Sequence, residues 1–227
     1  MIQTSSQTER AIVRPTLQRR SARTQQRILK VVDQLLLEGR FDQATVQEIV
    51  QRAECSIGAF YGRFKDKNAA LYKFYDRRCR QLESKITVIL DVGRLRANSL
   101  AGILSEFIDA TVAHTLAHAS TLRADVIKFT AADNDPFVAR ARVMNRLLRQ
   151  SLESVLLAAR DEYEHPDHRL AALFVLSMVG GLTRDAITMG QRLMETGFCS
   201  AFMQAELNRA VLGYLGISGG PMSDLRR

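Results

Sequence analysis

The sequence predicts an all-α protein, and three observations lead to this class. Apolar residues recur with the 3.6-residue spacing of amphipathic helices over most of the 227 residues. The chain contains four prolines and thirteen glycines, and few of them cluster into the turn signals that separate the strands of all-β folds. A hydrophobic content of 46 % and a charged content of 25 % suit a globular helical core.

Positive charge is concentrated toward the N-terminus. The chain carries a formal charge of +8, of which residues 1–83 supply +7 (16 Lys/Arg and 9 Asp/Glu) and residues 84–227 supply +1 (16 and 15). Seven basic residues and no acid fall in one run: Arg10, Arg14, Arg19, Arg20, Arg23, Arg27 and Lys30. Such a block is typical of a solvated, disordered tail, and we expect residues 1–21 to form a basic arm of this kind. The same charges would attract the phosphates of a nucleic acid.

A first helix is expected over residues 24–38, and Gly39 should end it. Its buried stripe follows helical spacing: Ile28, Val31, Val32, Leu35 and Leu36.

The segment from Thr45 to Lys67 has the signals of two short helices joined by a tight turn. Thr45 and Glu48 have the S/T-x-x-E spacing of a capping box, which predicts a helix start at Thr45. Ser56 is expected to cap the next helix. The inward stripes of the two helices are Val46, Ile49, Val50 and Ala53, and then Ile57, Phe60 and Phe64. The outer face of the second helix carries small, polar and basic residues: Gly58, Ala59, Tyr61, Gly62 and Arg63.

This segment resembles the helix-turn-helix of the TetR (tetracycline-repressor-type) family of bacterial transcriptional regulators. The matching residues are Ser56, Gly58, Tyr61, Phe64 and Lys67 at their mutual spacing, with Ala53 before the turn and Leu71 after it. The first helix extends the resemblance to residues 22–82. The remainder of the chain agrees only in length and helical character.

The resemblance implies an N-terminal three-helix DNA-binding domain over residues 22–82, with the motif at 45–64, fused to a C-terminal domain over residues 83–218 that binds an effector and dimerises. It also implies that the start of the second motif helix enters the major groove. Helix N-termini present free N–H groups to phosphate, and several of the residues concerned lie at predicted helix starts. The expected DNA-binding residues are Arg23, Thr24, Thr45, Ser56, Ile57, Gly58, Ala59, Tyr61, Arg63 and Lys67.

Two of these residues have alternative interpretations. Gly58 removes a side chain that would hold the backbone away from DNA, but it would equally permit tight packing within the protein. Tyr61 could be an ordinary half-buried aromatic residue rather than a phosphate ligand.

Two positions depart from the family pattern. Glu54 stands in the turn where the family commonly has glycine, and a left-handed backbone there would cost a non-glycine residue about 1–2 kcal/mol. Arg63 stands where the family often has histidine, and it adds a permanent charge that should raise nonspecific affinity for DNA.

The rest of the chain predicts a bundle of long helices. A fourth helix should run from Lys67 to about residue 90. Further helices are expected over residues 99–118, 121–132, 136–164, 168–190 and 200–216, followed by a flexible tail over residues 219–227. The segment 170–190 is apolar on most faces, and Gly180 and Gly181 would let another helix approach closely. Either a partner subunit or the centre of a monomeric bundle would bury it.

Three further observations limit the classes of function that the sequence allows. The longest uncharged stretch, Leu170–Thr183, has fourteen residues, fewer than the roughly 20 that a membrane span needs. Cys55, Cys79 and Cys199 are far apart and in no metal spacing, which fits structural thiols in a reducing cytoplasm. His114 and His118 have the i, i+4 spacing of a metal pair, but no third ligand is evident, so structural or pocket-lining roles are favoured.

We therefore expect a cytoplasmic, homodimeric, sequence-specific DNA-binding regulator rather than an enzyme. By resemblance it is a repressor released from operator DNA by a small-molecule effector, and it pairs through its last two long helices. No cofactor, metal or catalytic residue is expected, and the sequence does not identify the effector site. The competing interpretation is an all-helical small-molecule-binding protein or enzyme with an incidental basic N-terminal region.

Overall fold

The computed structural model of the protein describes residues 5–119, 135–189 and 200–217, and every regular element within these ranges is helical. The predicted all-α class is confirmed. The α-helices of the described residues are α1 (Ser5–Leu37), α2 (Val46–Arg52), α3 (Ile57–Tyr61), α4 (Lys67–Ile89), α5 (Leu100–Ala117), α6 (Pro136–Ala158), α7 (His168–Met189) and α8 (Ser200–Leu215). Short 3-10 helices cover Val92–Arg96 and Arg160–Glu162.

The chain divides into two compact units, Met1–Asp76 and Arg77–Arg227, and α4 contributes residues to both. The division lies earlier in α4 than residue 82, where the sequence placed the end of the DNA-binding domain. The functional domains themselves stay a prediction.

The first unit is built from α1, α2, α3 and the start of α4. Its core consists of the predicted stripes and includes Ile28, Val32, Leu35, Ile49 and Phe60, all 0 % exposed. Gly39 follows the end of α1 in a left-handed conformation (φ 66°). The amide of Arg40 donates to the carbonyl of Leu35 at 2.9 Å, which closes the helix end.

The start of α1 differs from the prediction. The helix begins at Ser5 rather than near residue 24, so the arm expected to be disordered over residues 1–21 is helical from Ser5 onward. Arginine and glutamine supply six of the seventeen residues from Ser5 to Ser21, and both are good helix formers. Basic composition alone was therefore a poor indicator of disorder here.

The second unit packs α5, α6, α7 and α8 around one apolar core. Side chains cap two of its helices near their predicted starts: Ser99 accepts the amide of Gly102 at 3.2 Å, and Asp135 accepts that of Phe137 at 2.7 Å. The guanidinium of Arg140 on α6 forms a two-pronged ion pair with Glu83 on α4 at 2.7 and 2.8 Å.

Helix α6 ends at Ala158, earlier than the predicted residue 164, and the predicted break before His168 is present. The expected helix over residues 121–132, Cys199 and the expected tail at 219–227 lie outside the described residues. In the described part of the chain α5 and α7 are long and apolar enough to cross a membrane by composition, and α5 is a core helix of the second unit.

Candidate nucleic-acid interface

Side-chain caps fix the two helices of the motif. The hydroxyl of Thr45 accepts the amide of Glu48 at 3.1 Å, and the hydroxyl of Ser56 accepts the amide of Ala59 at 3.1 Å. Both predicted helix starts are therefore confirmed. The Glu48 carboxylate pairs instead with Arg40 at 3.4 Å and Arg52 at 2.9 Å, so we observe only the Thr45 half of the expected capping box.

The turn between α2 and α3 holds Glu54 in the left-handed region, at φ 49°. This is the strained alternative that the sequence left open at the position where the family commonly has glycine. The Glu54 carboxylate lies 3.5 Å from the guanidinium of Arg27 on α1, and with side chains 84 % and 45 % exposed this pair contributes little stability. Cys55 follows, half-buried, and burial raises the pKa of its thiol.

The outer face of α3 is open to solvent. Phe60 is fully buried, whereas Ile57 is 46 % and Tyr61 54 % exposed. Among the described residues no atom lies within 4 Å of a Cβ built at Gly58. Gly58 is thus not required for packing against the described residues, and Tyr61 is more exposed than buried. Both observations favour the DNA-binding interpretations, which stay predictions. Ile57, expected in the inward stripe as well as in the DNA-binding set, faces outward.

Lys67 binds its own chain. Its Nζ donates to the carbonyls of Phe41 at 3.2 Å, Asp42 at 2.6 Å and Ala44 at 3.1 Å, and it lies 5.5 Å from the centroid of the Phe41 ring. An ammonium has three N–H donors, and these bonds use all of them. Lys67 therefore ties the first turn of α4 to the loop before α2, and a phosphate would have to displace one of these carbonyls.

Arg63 is also held by the protein. Its guanidinium donates to the carbonyl of Ala59, to the hydroxyl of Ser21 at 2.9 Å and to the carbonyl of Ser21 at 3.4 Å. Arg63 thereby joins the end of α3 to α1. The predicted contribution of Arg63 to nonspecific DNA affinity is not tested by these contacts, but they compete with it. Ala59 is half-buried beside this contact.

Thr24 does not begin a helix. Because α1 starts at Ser5, the amide of Thr24 lies inside the helix and is not a free donor. Its hydroxyl donates to the carbonyl of Arg20 at 3.1 Å. Arg23, the residue before Thr24, is exposed.

A basic face on α1 was not identified from the sequence as a unit. One shallow hollow in the surface is lined by Arg20, Arg23, Thr24, Gln26, Arg27 and Lys30. The signal was present, because the four cations recur at i, i+3, i+7 and i+10, but it becomes visible only once the helix is known to continue through residue 20.

Two histidines in the second unit form a small basic cluster with Arg78. The guanidinium of Arg78 lies 3.1 Å from Nε2 of His118, and the imidazole rings of His114 and His118 are 4.7 Å apart. Burial, with His118, Arg78 and Lys85 as neighbouring charges, lowers the pKa of His114 to about 4. In the ranges that the structure describes, no group of three or more His, Cys, Asp or Glu is placed to hold a metal ion.

Helix α7 presents an apolar face to solvent. Leu170, Leu173 and Phe174 are 58 %, 49 % and 49 % exposed and follow the i, i+3, i+4 spacing. A Cβ built at Gly180 or Gly181 meets no atom of the described residues within 4 Å. With respect to the residues that the structure describes, the side of α7 that bears the two glycines is therefore open to close approach.

Comparison with known proteins identifies the sequence pattern of the first unit. Residues 28–71 match the profile of the family described as bacterial regulatory proteins, tetR family. No curated protein matches the sequence.

Solved structures with the same fold are TetR-family and other bacterial transcriptional regulators. A TetR-family transcriptional regulator from Mesorhizobium loti has a TM-score of 0.68 at 18 % identity, covering 87 % of this chain and 99 % of its own. SmeT, the repressor of the Stenotrophomonas maltophilia multidrug efflux pump SmeDEF, has a TM-score of 0.64 at 16 % identity, covering 86 % and 91 %. FadR from Bacillus subtilis, in complex with stearoyl-CoA, has a TM-score of 0.57 at 18 % identity, covering 86 % and 98 %.

These comparisons confirm the predicted resemblance. The chain has the fold of TetR-family regulators, and its first unit carries the family's sequence pattern.

Proposed function

We propose that the protein is a sequence-specific DNA-binding transcriptional regulator of the cytoplasm, which acts as a homodimer and is released from its operator by a small molecule. The observation that carries the proposal is the open outer face of α3, where Tyr61 is exposed and no atom of the described residues lies within 4 Å of a Cβ built at Gly58. A groove-reading helix needs such a face, since the backbone must approach the base edges closely.

The dimer is supported by the exposed apolar face of α7. A continuous row of large apolar side chains is unfavourable in water, and a second copy of α7 and α8 would cover it in an isologous four-helix contact. Two copies would then read half-sites about 34–36 Å apart, or a multiple of that distance.

A small-molecule effector is supported by likeness. SmeT has been solved with triclosan and Bacillus subtilis FadR with stearoyl-CoA. An effector of this chain would act only through its different affinities for the DNA-bound and the free conformation. We place its action on α4, because that helix contributes residues to both units. Repression is favoured over activation by the same likeness.

Selection of bound sequences from random duplex tests the proposal, and repeating the selection across a panel of small molecules tests the effector. We expect one enriched, two-fold symmetric sequence whose binding weakens with at least one compound. Recovery of unselected sequence at every salt concentration would reject sequence-specific regulation.

A single substitution tests the role of α3. Tyr61→Phe should lower operator affinity with little loss of stability, because the Tyr61 hydroxyl belongs to an exposed side chain. Tyr72→Phe, on the half-buried side of α4, is the matched control. Equal falls in melting temperature and affinity for Tyr61→Phe would assign that residue to packing.

A further inference from the structure

The second unit, we infer, binds the carboxylate of a small organic acid at Arg78, His114 and His118, between α4 and the end of α5. The three residues lie outside residues 28–71, so the family's sequence pattern assigns them no role. The inference rests on the proposed function only in making this acid the effector. Binding of the acid is a property of the second unit and can be measured without DNA.

A polar stripe marks the site on α5. This helix packs in the apolar core of the second unit, yet polar residues recur along its C-terminal half with the i, i+3, i+4, i+7 spacing of one helix face: Thr111, His114, Thr115 and His118. The two threonines are buried, and the two histidines are half-buried. The imidazole rings lie 4.7 Å apart. Core packing alone does not call for this stripe, because apolar side chains would fill the same space.

The contact between Arg78 and His118 determines which hydrogen-bonding groups the site offers. Nη1 of Arg78 lies 3.1 Å from Nε2 of His118. A guanidinium only donates, so Nε2 is the acceptor, and the proton of the neutral ring is on Nδ1. The His114 ring is neutral at pH 7 as well, since burial and neighbouring positive charges lower its pKa to about 4. The site therefore combines one permanent positive charge with two neutral imidazoles.

The guanidinium of Arg78 is suited to a carboxylate. It has partners within the protein, among them His118 at Nη1, and it is half-buried. Its Nε is buried and donates to no acceptor among the described residues. A carboxylate offers only acceptor oxygens, and its two oxygens match the fork of N–H groups on a guanidinium. Charge-assisted bonds of this kind are stronger than bonds between neutral groups.

Charge and surroundings indicate a singly charged acid with an apolar body. A phosphate ester would bring a second negative charge into a half-buried site whose only permanent charge is that of Arg78. Lys85, two turns further along α4, is exposed and therefore solvated. Leu82 lies one turn after Arg78 and Phe107 two turns before His114, on the same helix faces, and both belong to the apolar core. The body of a ligand bound at the site thus adjoins aliphatic and aromatic surface.

The location of Arg78 suggests how the acid would act. Arg78 is on α4, and the histidines are on α5 and at its end, so a bound carboxylate favours the arrangement of the two helices in which all three residues meet it. The acid can shift the protein toward its free conformation only if it binds that conformation more tightly than the DNA-bound one.

Calorimetry on the wild-type protein tests the site without any variant. The probes are hexanoate, decanoate and benzoate, each compared with its primary amide, which keeps the shape of the acid and removes the charge. At least one acid should bind about 10- to 100-fold more tightly than its amide, because hydrogen bonds to charged groups are stronger by about that factor. Equal affinities of acid and amide, or no binding of any of the three acids at millimolar concentration, would overturn the inference.

Two variants assign the preference to the site. Arg78→Gln removes the charge but keeps an N–H donor, so it should abolish the preference for the acid over its amide. The matched control Arg77→Gln removes an exposed arginine at the preceding position and should keep the preference. An equal loss in Arg77→Gln would assign the effect to net charge and reject the site.

His118→Gln is the second variant, and it leaves the guanidinium in place. It should weaken binding of the acid several-fold with little effect on the amide. Unchanged affinity for the acid in this variant would remove His118 from the site, and unchanged affinity in Arg78→Gln as well would reject the inference.

Operator binding separates this inference from the proposed function. An acid that binds in calorimetry should also weaken binding to the selected operator. Release of the operator by neutral or cationic compounds alone, with no effect of the bound acid, would reject the acid as effector and leave the proposed function intact. Failure of the protein to select any operator would reject the proposed function, whereas calorimetry would still decide whether the carboxylate site exists.

Discussion

The two units of the chain expose different chemistry at the surfaces assigned to binding. The first unit exposes cations along α1 and a small, open face on α3. The second exposes a row of large apolar side chains on α7, where no atom of the described residues lies within 4 Å of a Cβ built at Gly180 or Gly181. The difference indicates two classes of partner: spread positive charge suits a polyanion, whereas an apolar row at helical spacing suits a second protein surface.

The comparison also shows that a residue type does not reveal its role. Within the basic first unit, Lys67 and Arg63 are bound by carbonyl and hydroxyl oxygens of the protein itself, whereas Arg20, Arg23 and Lys30 lie exposed on α1. Substitutions at four positions test these contrasts.

The largest effect is expected from Leu173→Glu on the apolar face. A carboxylate in a desolvated four-helix contact should raise the dimer dissociation constant by at least about 1000-fold, which corresponds to about 4 kcal/mol. Analytical ultracentrifugation at micromolar concentration should then give a monomer. Val88→Glu, at a side chain that is 67 % exposed on α4, is the control. A dimer that survives Leu173→Glu would remove this face from the interface.

The second-largest effect is expected from Lys67→Met. Loss of the three bonds to carbonyls should lower the free energy of unfolding of the first unit by about 2–3 kcal/mol. Chemical denaturation measures this, and the exposed neighbour Lys65→Met should leave stability unchanged. Unchanged stability with a salt slope of DNA binding reduced by about one unit would instead support the phosphate role that the sequence suggested.

A smaller effect should appear in the pH dependence of the second unit. The pKa of His114 is lowered to about 4 in the folded protein, so between its unfolded value of 6.5 and about 4 the unfolded chain takes up a proton that the folded one does not. The free energy of unfolding should fall as the pH drops through this window, by roughly 1–2 kcal/mol because the imidazole is partly solvated.

Denaturation of His114→Gln across the same pH range checks the assignment. Its profile should be flatter than that of the wild type, whereas His168→Gln at the start of α7 should keep the wild-type profile. Parallel profiles for wild type and His114→Gln would show that other groups cause the dependence.

The smallest effect concerns the turn. Glu54→Gly should raise the free energy of unfolding by about 0.5–1 kcal/mol, since glycine adopts φ 49° without strain but loses more entropy on folding. Glu54→Gln removes the charge and keeps the strain, so it should bring no such gain. Thermal unfolding of both variants separates the effect of backbone strain from that of the charge. An equal gain in stability in both variants would assign the effect to the charge.

Local signals explain how much of the first unit could be predicted. The caps at Thr45, Ser56 and Asp66 each bond an amide three residues away, and such short-range chemistry can be read from the chain directly. The sequence also predicted the exposed face of α3, because helical spacing separates it from Phe60. The sequence also predicted a helix start at residue 136, and Asp135 caps it there by accepting the amide of Phe137.

Long-range contacts account for what the sequence did not predict. Lys67 meets carbonyls more than twenty residues earlier in the chain, and Arg63 meets Ser21, 42 residues earlier. No spacing rule connects such positions, so these contacts within the protein could not be predicted, and the DNA-binding roles of both cations stay predictions. Thr24 was placed at a helix start because the continuation of α1 to Ser5 was not recognised. The sequence did not predict where the proposed effector binds, because a cavity is defined by elements that meet only in the fold.

The bonds of Lys67 also bear on which residues this position can accept during evolution. Three oxygen atoms converge on one nitrogen, an arrangement that matches a compact ammonium and not the flat, forked guanidinium of arginine. The exchange Lys67→Arg would therefore conserve the charge without conserving the fit. Few residue types other than lysine should therefore be accepted at position 67 among functional variants. The cations along α1 should tolerate exchange between lysine and arginine.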